Sequence, residues 1–168
     1  GDDGDLEFGE QKAYEILTTG QFSGTTNITI NGKTDVHSNN VVKDLKTGLE
    51  WSRYVGASVG PGSDGKLPWT TTGSGATAEG IYPYCLAANL ALLGGYGDWR
   101  IANPNELWFI INLETGFPDS TAFPSFPDTS LWTSATRASA STYAINVVFS
   151  YGGISYTNLK TVAIGILL

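Results

Sequence analysis

With 168 residues and 41% apolar content, the chain can bury one core without disulfide or metal staples. A net charge of −7 excludes nucleic acid and anionic membrane surfaces as partners, because both require a basic face. A single cysteine, Cys85, excludes an internal disulfide and any zinc site built from several thiolates, and no run of about 20 apolar residues offers a membrane span.

Gly1-Asp2-Asp3-Gly4-Asp5 opens the chain and methionine is absent throughout, which reads as a removed leader or a segment of something longer. Asp2, Asp3 and Asp5 are candidate calcium oxygens, but no bidentate glutamate follows at the spacing of a calcium loop, and a solvated acidic turn is favoured. Residues 1–40 read as an N-terminal β and turn extension and residues 41–168 as the main domain. Ala13 to Leu17 is predicted to be a short strand. Thr25 to Ile30 is a β-branched strand ending at Asn31-Gly32, a strong hairpin signal. Asn27-Ile28-Thr29 is a formal glycosylation sequon, awkwardly placed inside that strand. His37, the only histidine, lies among Asp35, Ser38, Asn39 and Asn40 and reads as exposed in a polar turn. With no nucleophile elbow elsewhere, a Ser-His-Asp triad is not expected. Val41 to Asp44 leads through the turn Lys46-Thr47-Gly48 to an alternating strand at Leu49-Glu50-Trp51.

Residues 56–80 are rich in glycine, serine and threonine and read as an ordered loop carrying Trp69. The first helix starts near Pro83, with Tyr82, Leu86, Leu90 and Leu93 recurring on the face expected to be buried and Gly94-Gly95 as the stop. The second runs from Pro104 to about Glu114. Asn103 is its N-cap and Glu106, three residues later, completes a capping box. Residues 117–131 read as irregular, pinned by Phe117, Phe123 and Phe126. Strands follow at Trp132 to Ser134, Tyr143 to Phe149 and Ile154 to Tyr156. Thr161 to Leu168 closes the chain as an apolar strand with no charged residue after Lys160, an edge that pairs either inside its own sheet or with a neighbouring copy. Strands, two helices, then strands is an α+β order.

Four pieces carry a family resemblance: Gly1-Asp2-Asp3-Gly4-Asp5 with Thr19-Gly20-Gln21, which resemble segments that often precede the domain, and three stretches within it. Val42-Lys43-Asp44-Leu45-Lys46-Thr47-Gly48-Leu49-Glu50-Trp51 is one. Tyr84-Cys85 followed by Gly97-Asp98-Trp99-Arg100-Ile101 and Glu106-Leu107 is the second, and Leu131-Trp132-Thr133-Ser134 the third. Together they resemble the Legionella collagen-like protein C-terminal domain family over roughly residues 42–168. The resemblance implies a C-type lectin-like fold, with two helices packed on antiparallel sheets. It also implies a framework role for Asp44, Gly48, Trp51, Asp98, Trp99, Arg100, Glu106 and Trp132. The family's usual Arg-Cys-Val-Arg ending is replaced here by Val162-Ala163-Ile164-Gly165-Ile166, so a bridge from Cys85 to that strand is lost. Ile101-Ala102 stands where the family has Leu-Pro.

The resemblance gives Asp98-Trp99-Arg100 a structural reading, with Trp99 in the core and Asp98 or Arg100 bonding backbone at the helix start. Asn103-Pro104-Asn105 echoes a calcium-dependent sugar motif but coincides with that helix start, and is rejected as a metal site. Cys85 reads as a small buried hydrophobe. The candidate ligand-binding residues are Trp69, Asp64, Tyr151 and Tyr156, aromatics and an acid in glycine-rich surroundings suited to sugar or protein contact. Charged residues make up only 15% of the chain, below the roughly 25% of ordinary soluble domains. With the resemblance, this points to an extracellular or cell-surface module that is not an enzyme and needs no cofactor. Its partner is expected to be a glycan or a surface protein. The alternative is a structural subunit that self-associates into a filament or oligomer through its terminal segments.

Overall fold

The computed structural model describes residues 13–54, 66–71, 73–74, 78–112, 114–124, 126, 130–149 and 154–168, with 154–156 described by their backbone. Asp2, Asp3, Asp5, Asp64 and Tyr151 lie outside these residues. The described part is α+β and mostly sheet: two short helices and a set of small antiparallel sheets.

β1 (Tyr14–Leu17) pairs with β4 (Val41–Asp44), which pairs with β5 (Glu50–Ser52). β2 (Thr25–Ile30) and β3 (Lys33–Ser38) form a separate hairpin whose turn, Asn31 at φ 47° and Gly32 at φ 69°, is the one the Asn-Gly pair predicts. The boundary drawn between residues 40 and 41 is crossed by the β1–β4 pairing. It is crossed again by the core, where Ile28 and Ile30 join Tyr84, Trp99 and Trp132.

The hairpin's inner face also carries His37, 4% exposed, with Nδ1 against Ser38 O (2.9 Å) and Nε2 against Tyr54 O (3.1 Å). The expectation of an exposed turn histidine is therefore corrected. Residues 33–38 are strand, and its alternation turns Asp35 and His37 inward together.

Helix α1 (Ile81–Leu90) lies on β2 and buries Ile81, Tyr84, Cys85 and Ala88. The face expected to be buried is the wrong one: Tyr82 is 39%, Leu86 59% and Leu90 78% exposed, and only Leu93, beyond the helix, is interior. The helix is apolar around most of its circumference, so two stripes at helical spacing compete and periodicity does not choose between them. Polar contacts do. The Tyr84 hydroxyl donates to buried Asp35 (2.7 Å), and Asn89 reaches the Trp99 backbone, fixing the rotation of the helix.

Helix α2 (Pro104–Phe109) stops five residues short of the predicted end. Asn112 ends it: its carbonyl accepts from Gly116 N (2.8 Å) and its side-chain oxygen from Glu114 N (2.9 Å), so the backbone turns instead of propagating. β7 (Ser130–Thr136), β8 (Tyr143–Val148) and β9 (Ile154–Leu159) form the third sheet, in chain order.

The closing segment is not an exposed edge. β10 (Ala163–Ile164) pairs only with β6 (Leu67–Pro68), after which the chain enters the interior. Gly165 O accepts from Trp132 N (2.9 Å), Leu168 O accepts from Ser52 N (2.7 Å), and Leu168 N donates to Ser52 Oγ (3.2 Å). Ile166 and Leu168 pack into one core cluster and Leu167 into the other, which also holds Trp51, Leu107, Ile110 and Phe123. A run with no charged residue can be buried on both faces, and here its backbone is satisfied by three different strands of its own chain.

Candidate functional site: a cleft between two motifs

Asp44 and Gly48 build one wall. Buried Asp44 accepts from Lys46 N (2.8 Å) and Thr47 N (3.3 Å), and Gly48 takes the left-handed conformation (φ 73°) that closes the turn. This turn presents Gly48, Leu49 and Glu50 at the surface end of β5, with Trp51 buried behind them.

The second wall is the segment from Tyr96 to Glu106. Trp99 is its anchor and is 8% exposed. Its backbone N–H donates to Asn89 Oδ1 (2.7 Å), and its carbonyl accepts from Asn89 Nδ2 (2.9 Å) and from the Cys85 thiol (3.1 Å). Its indole N–H donates to Leu93 O (2.8 Å). Cys85 is thereby a structural thiol, as expected from sequence, and burial pushes it up to about 11, away from reactivity at neutral pH.

Arg100 does not bond backbone. Its two terminal nitrogens grip Glu106 in a bidentate pair (2.7 and 2.6 Å), because Glu106 is already aimed back across the helix start by the predicted capping box. In that box Glu106 N donates to Asn103 Oδ1 (3.0 Å) and Asn103 N to Glu106 Oε2 (2.8 Å).

Between the walls lies a cleft of about 320 Å³, lined by residues 48–51, by Tyr96, Asp98, Trp99 and Arg100, and by Ala102, Glu106 and Leu168. Trp51, Asp98, Trp99, Arg100, Glu106 and Gly48 thus belong to the scaffold and to its concave surface at once. Glu50 and Tyr96 are the polar lining residues that the motifs did not single out. The signal available was only their position, one residue before Trp51 and two before Asp98.

The Tyr96 hydroxyl is pushed up to about 12, first by hydrogen bonding with the neighbouring Glu50 carboxylate, then by burial and by the negative fields of Glu50 and Asp98. Both carboxylates therefore act on one phenol. Tyr96 in turn meets Trp99 edge-on, with ring centroids 5.7 Å apart. Trp51 Nε1 is buried without a hydrogen-bond partner. Among the described residues, no group of three or more His, Cys, Asp or Glu side chains is arranged to hold a metal ion.

Arg100 draws the Glu106 carboxyl below its ordinary value of 4.5, chiefly through the hydrogen bonds between them. A lowered folded-state value stabilises the fold above the unfolded value, and that contribution is lost as pH falls below about 4.5 through the folded one. Glu106→Gln keeps the capping geometry and removes the charge. It is expected to cost less than about 1 kcal/mol at pH 7, since Arg100 is largely exposed. The gap from the parent should close on acidification. Urea titrations at pH 7 and below pH 4 check this, and a gap that widens in acid would contradict it.

Of the sequence-predicted ligand residues, Asp64 and Tyr151 lie outside the described residues, and Trp69 and Tyr156 are not among those lining the cleft. Trp69 packs on the core: its indole N–H donates to Thr133 O (2.8 Å), Tyr82 meets its edge (5.1 Å), and Lys160 Nζ sits 4.0 Å from its ring centroid. Tyr156 lies on β9. Trp132 is fully buried, its indole N–H donating to Leu67 O (2.9 Å), a framework position.

No helix among the described residues is long and apolar enough to cross a membrane. No curated protein and no solved structure matches the chain. The profile of the Lcl C-terminal domain family matches residues 40–166, a span that contains both walls of the cleft and the Trp132 strand, and the chain belongs to that family.

Proposed function

We propose that this is a surface-associated, non-enzymatic recognition module of C-type lectin-like character, and that its cleft holds a hydroxyl-rich ligand, a glycan displayed at a surface. One observation carries the reading: the two stretches that mark the family, 42–51 and 97–107, meet across a single concavity. Its volume lies at the lower end of the range for small-molecule sites. Carboxylates accept from vicinal hydroxyls, and a partly exposed tyrosine ring offers an apolar face to a sugar. The ionised Glu106–Arg100 pair suits a fixed wall better than proton transfer, which supports binding over catalysis. Low charge and family membership support a place outside the cell or on its surface.

Tyr96→Ala with Asp98→Ala is expected to abolish retention on a glycan array while leaving the circular dichroism spectrum unchanged. Undiminished binding by that folded variant would overturn the assignment of the cleft.

Self-association is a second reading, favoured by a different surface from the one the sequence suggested. The C-terminal segment is consumed by its own fold, but α1 leaves Tyr82, Leu86 and Leu90 on its outer face, and residues 80–97 contain no charged side chain. In a chain of net charge −7, a neutral apolar stripe is where a second copy can approach with least repulsion. Leu86→Glu with Leu90→Glu should then shift a concentration-dependent oligomer to monomer by light scattering. A parent that stays monomeric at high concentration would sink this reading.

A further inference from the structure

The cleft's charges are unequally spent, and this bears on which glycan it takes. Arg100 is the only cation among its lining residues, and both of its terminal nitrogens are bound by Glu106, whose two oxygens are occupied in return. That pair is internally neutral. Glu50 and Asp98 remain, two carboxylates that line the cleft together with Tyr96 and have no second cation among the lining residues; Lys43 stands opposite Glu50 in the β4–β5 register but does not line the cleft.

We infer that the cleft selects a sugar bearing a free amino group, protonated to an ammonium, over neutral and anionic sugars; this rests on the recognition reading above. An ammonium between Glu50 and Asp98 gains from both charges, at an effective dielectric far below that of bulk water. The Tyr96 ring adds a cation–π contribution. A sulfate or uronate would face the same two carboxylates with no unpaired cation among the lining residues to receive it. A bare divalent ion is disfavoured too: Glu106 is tied to Arg100, and the described residues offer no cluster of metal-ligating groups. At about 320 Å³ the space suits a ring carrying a charge better than an ion alone.

The test is calorimetric titration of the whole chain with three probes: a glucosamine disaccharide, its N-acetylated counterpart, and Nα-acetyl-lysine methylamide. The expected result is binding of the amino disaccharide about tenfold tighter than the acetylated one at low salt. That ratio should fall towards unity at high ionic strength and in Asp98→Asn and Glu50→Gln, whose fold is checked by urea unfolding. Equal affinity for the two disaccharides would overturn the inference and leave the recognition reading standing. Binding of neither would count against both. Nα-acetyl-lysine methylamide binding as tightly as the amino disaccharide would overturn the sugar assignment in favour of a protein side chain.

Discussion

Trp99→Ala is expected to lower the unfolding free energy by about 3–5 kcal/mol, the range for deleting a buried aromatic. The size follows from what the residue holds as well as what it fills. Its ring packs into the cluster that contains Tyr84, Ala88 and Leu93, and its loss leaves a cavity in that cluster. The Leu93 carbonyl would lose its indole donor and keep only the bond from Tyr96 N. Trp99→Phe loses the hydrogen bond but keeps much of the ring volume, so it should cost less than the alanine variant. Against a total stability of about 5–15 kcal/mol, the alanine variant sits near the threshold of folding. Urea unfolding should show a lower midpoint with an unchanged slope. A loss below about 1 kcal/mol would contradict the anchoring role of Trp99.

Leu167→Ala is expected to cost about 2–5 kcal/mol for a similar reason. Leu167 is 1% exposed and packs with Trp51, Leu107 and Phe123, while Ile166 and Leu168 on either side face the other cluster. The closing segment is thus a seam between two halves of the core. Were it instead a pairing edge for a second copy, truncating one side chain would leave the monomer's stability unchanged and alter only the oligomer. Unfolding at two protein concentrations a hundredfold apart separates these cases. The core role predicts the same large loss at both, and a loss seen only at the higher concentration would contradict it.

How much of this was legible in the sequence depended on how local each feature is. The Asn31-Gly32 hairpin and the Asn103–Glu106 capping box are decided within a few residues, by left-handed backbone preference and by orphan N–H groups at a helix start, and both are where the residues put them. The buried face of α1 was not legible, because Leu86 and Leu90 are as apolar as Ile81 and Ala88. The choice was made by Asp35 and Trp99, remote in the chain. His37 misled because its polar neighbours resemble a turn, whereas strand alternation places Asp35 and His37 inside and leaves Val36 outside. The short second helix and the buried C-terminal segment depend likewise on bonds to partners that periodicity does not see.

The cleft is the least local feature of all. Residues 48–51 and 96–106 lie more than 40 positions apart, and only the tertiary fold, with Trp51 in one core cluster and Trp99 in the other, brings their surfaces together. Treating Asp98-Trp99-Arg100 as framework was sound for Trp99 and incomplete for its neighbours. Arg100 spends its charge on Glu106, and that leaves Glu50 and Asp98 to set the sign of the site.

The most direct test of the central claim, that this concavity is where the domain meets its ligand, is amide chemical-shift mapping during titration with the amino disaccharide. The account predicts saturable shifts confined to residues 48–51 and 96–106, absent in Tyr96→Ala with Asp98→Ala. Saturable shifts centred on α1 or around Trp69, with residues 48–51 and 96–106 unmoved, would contradict it.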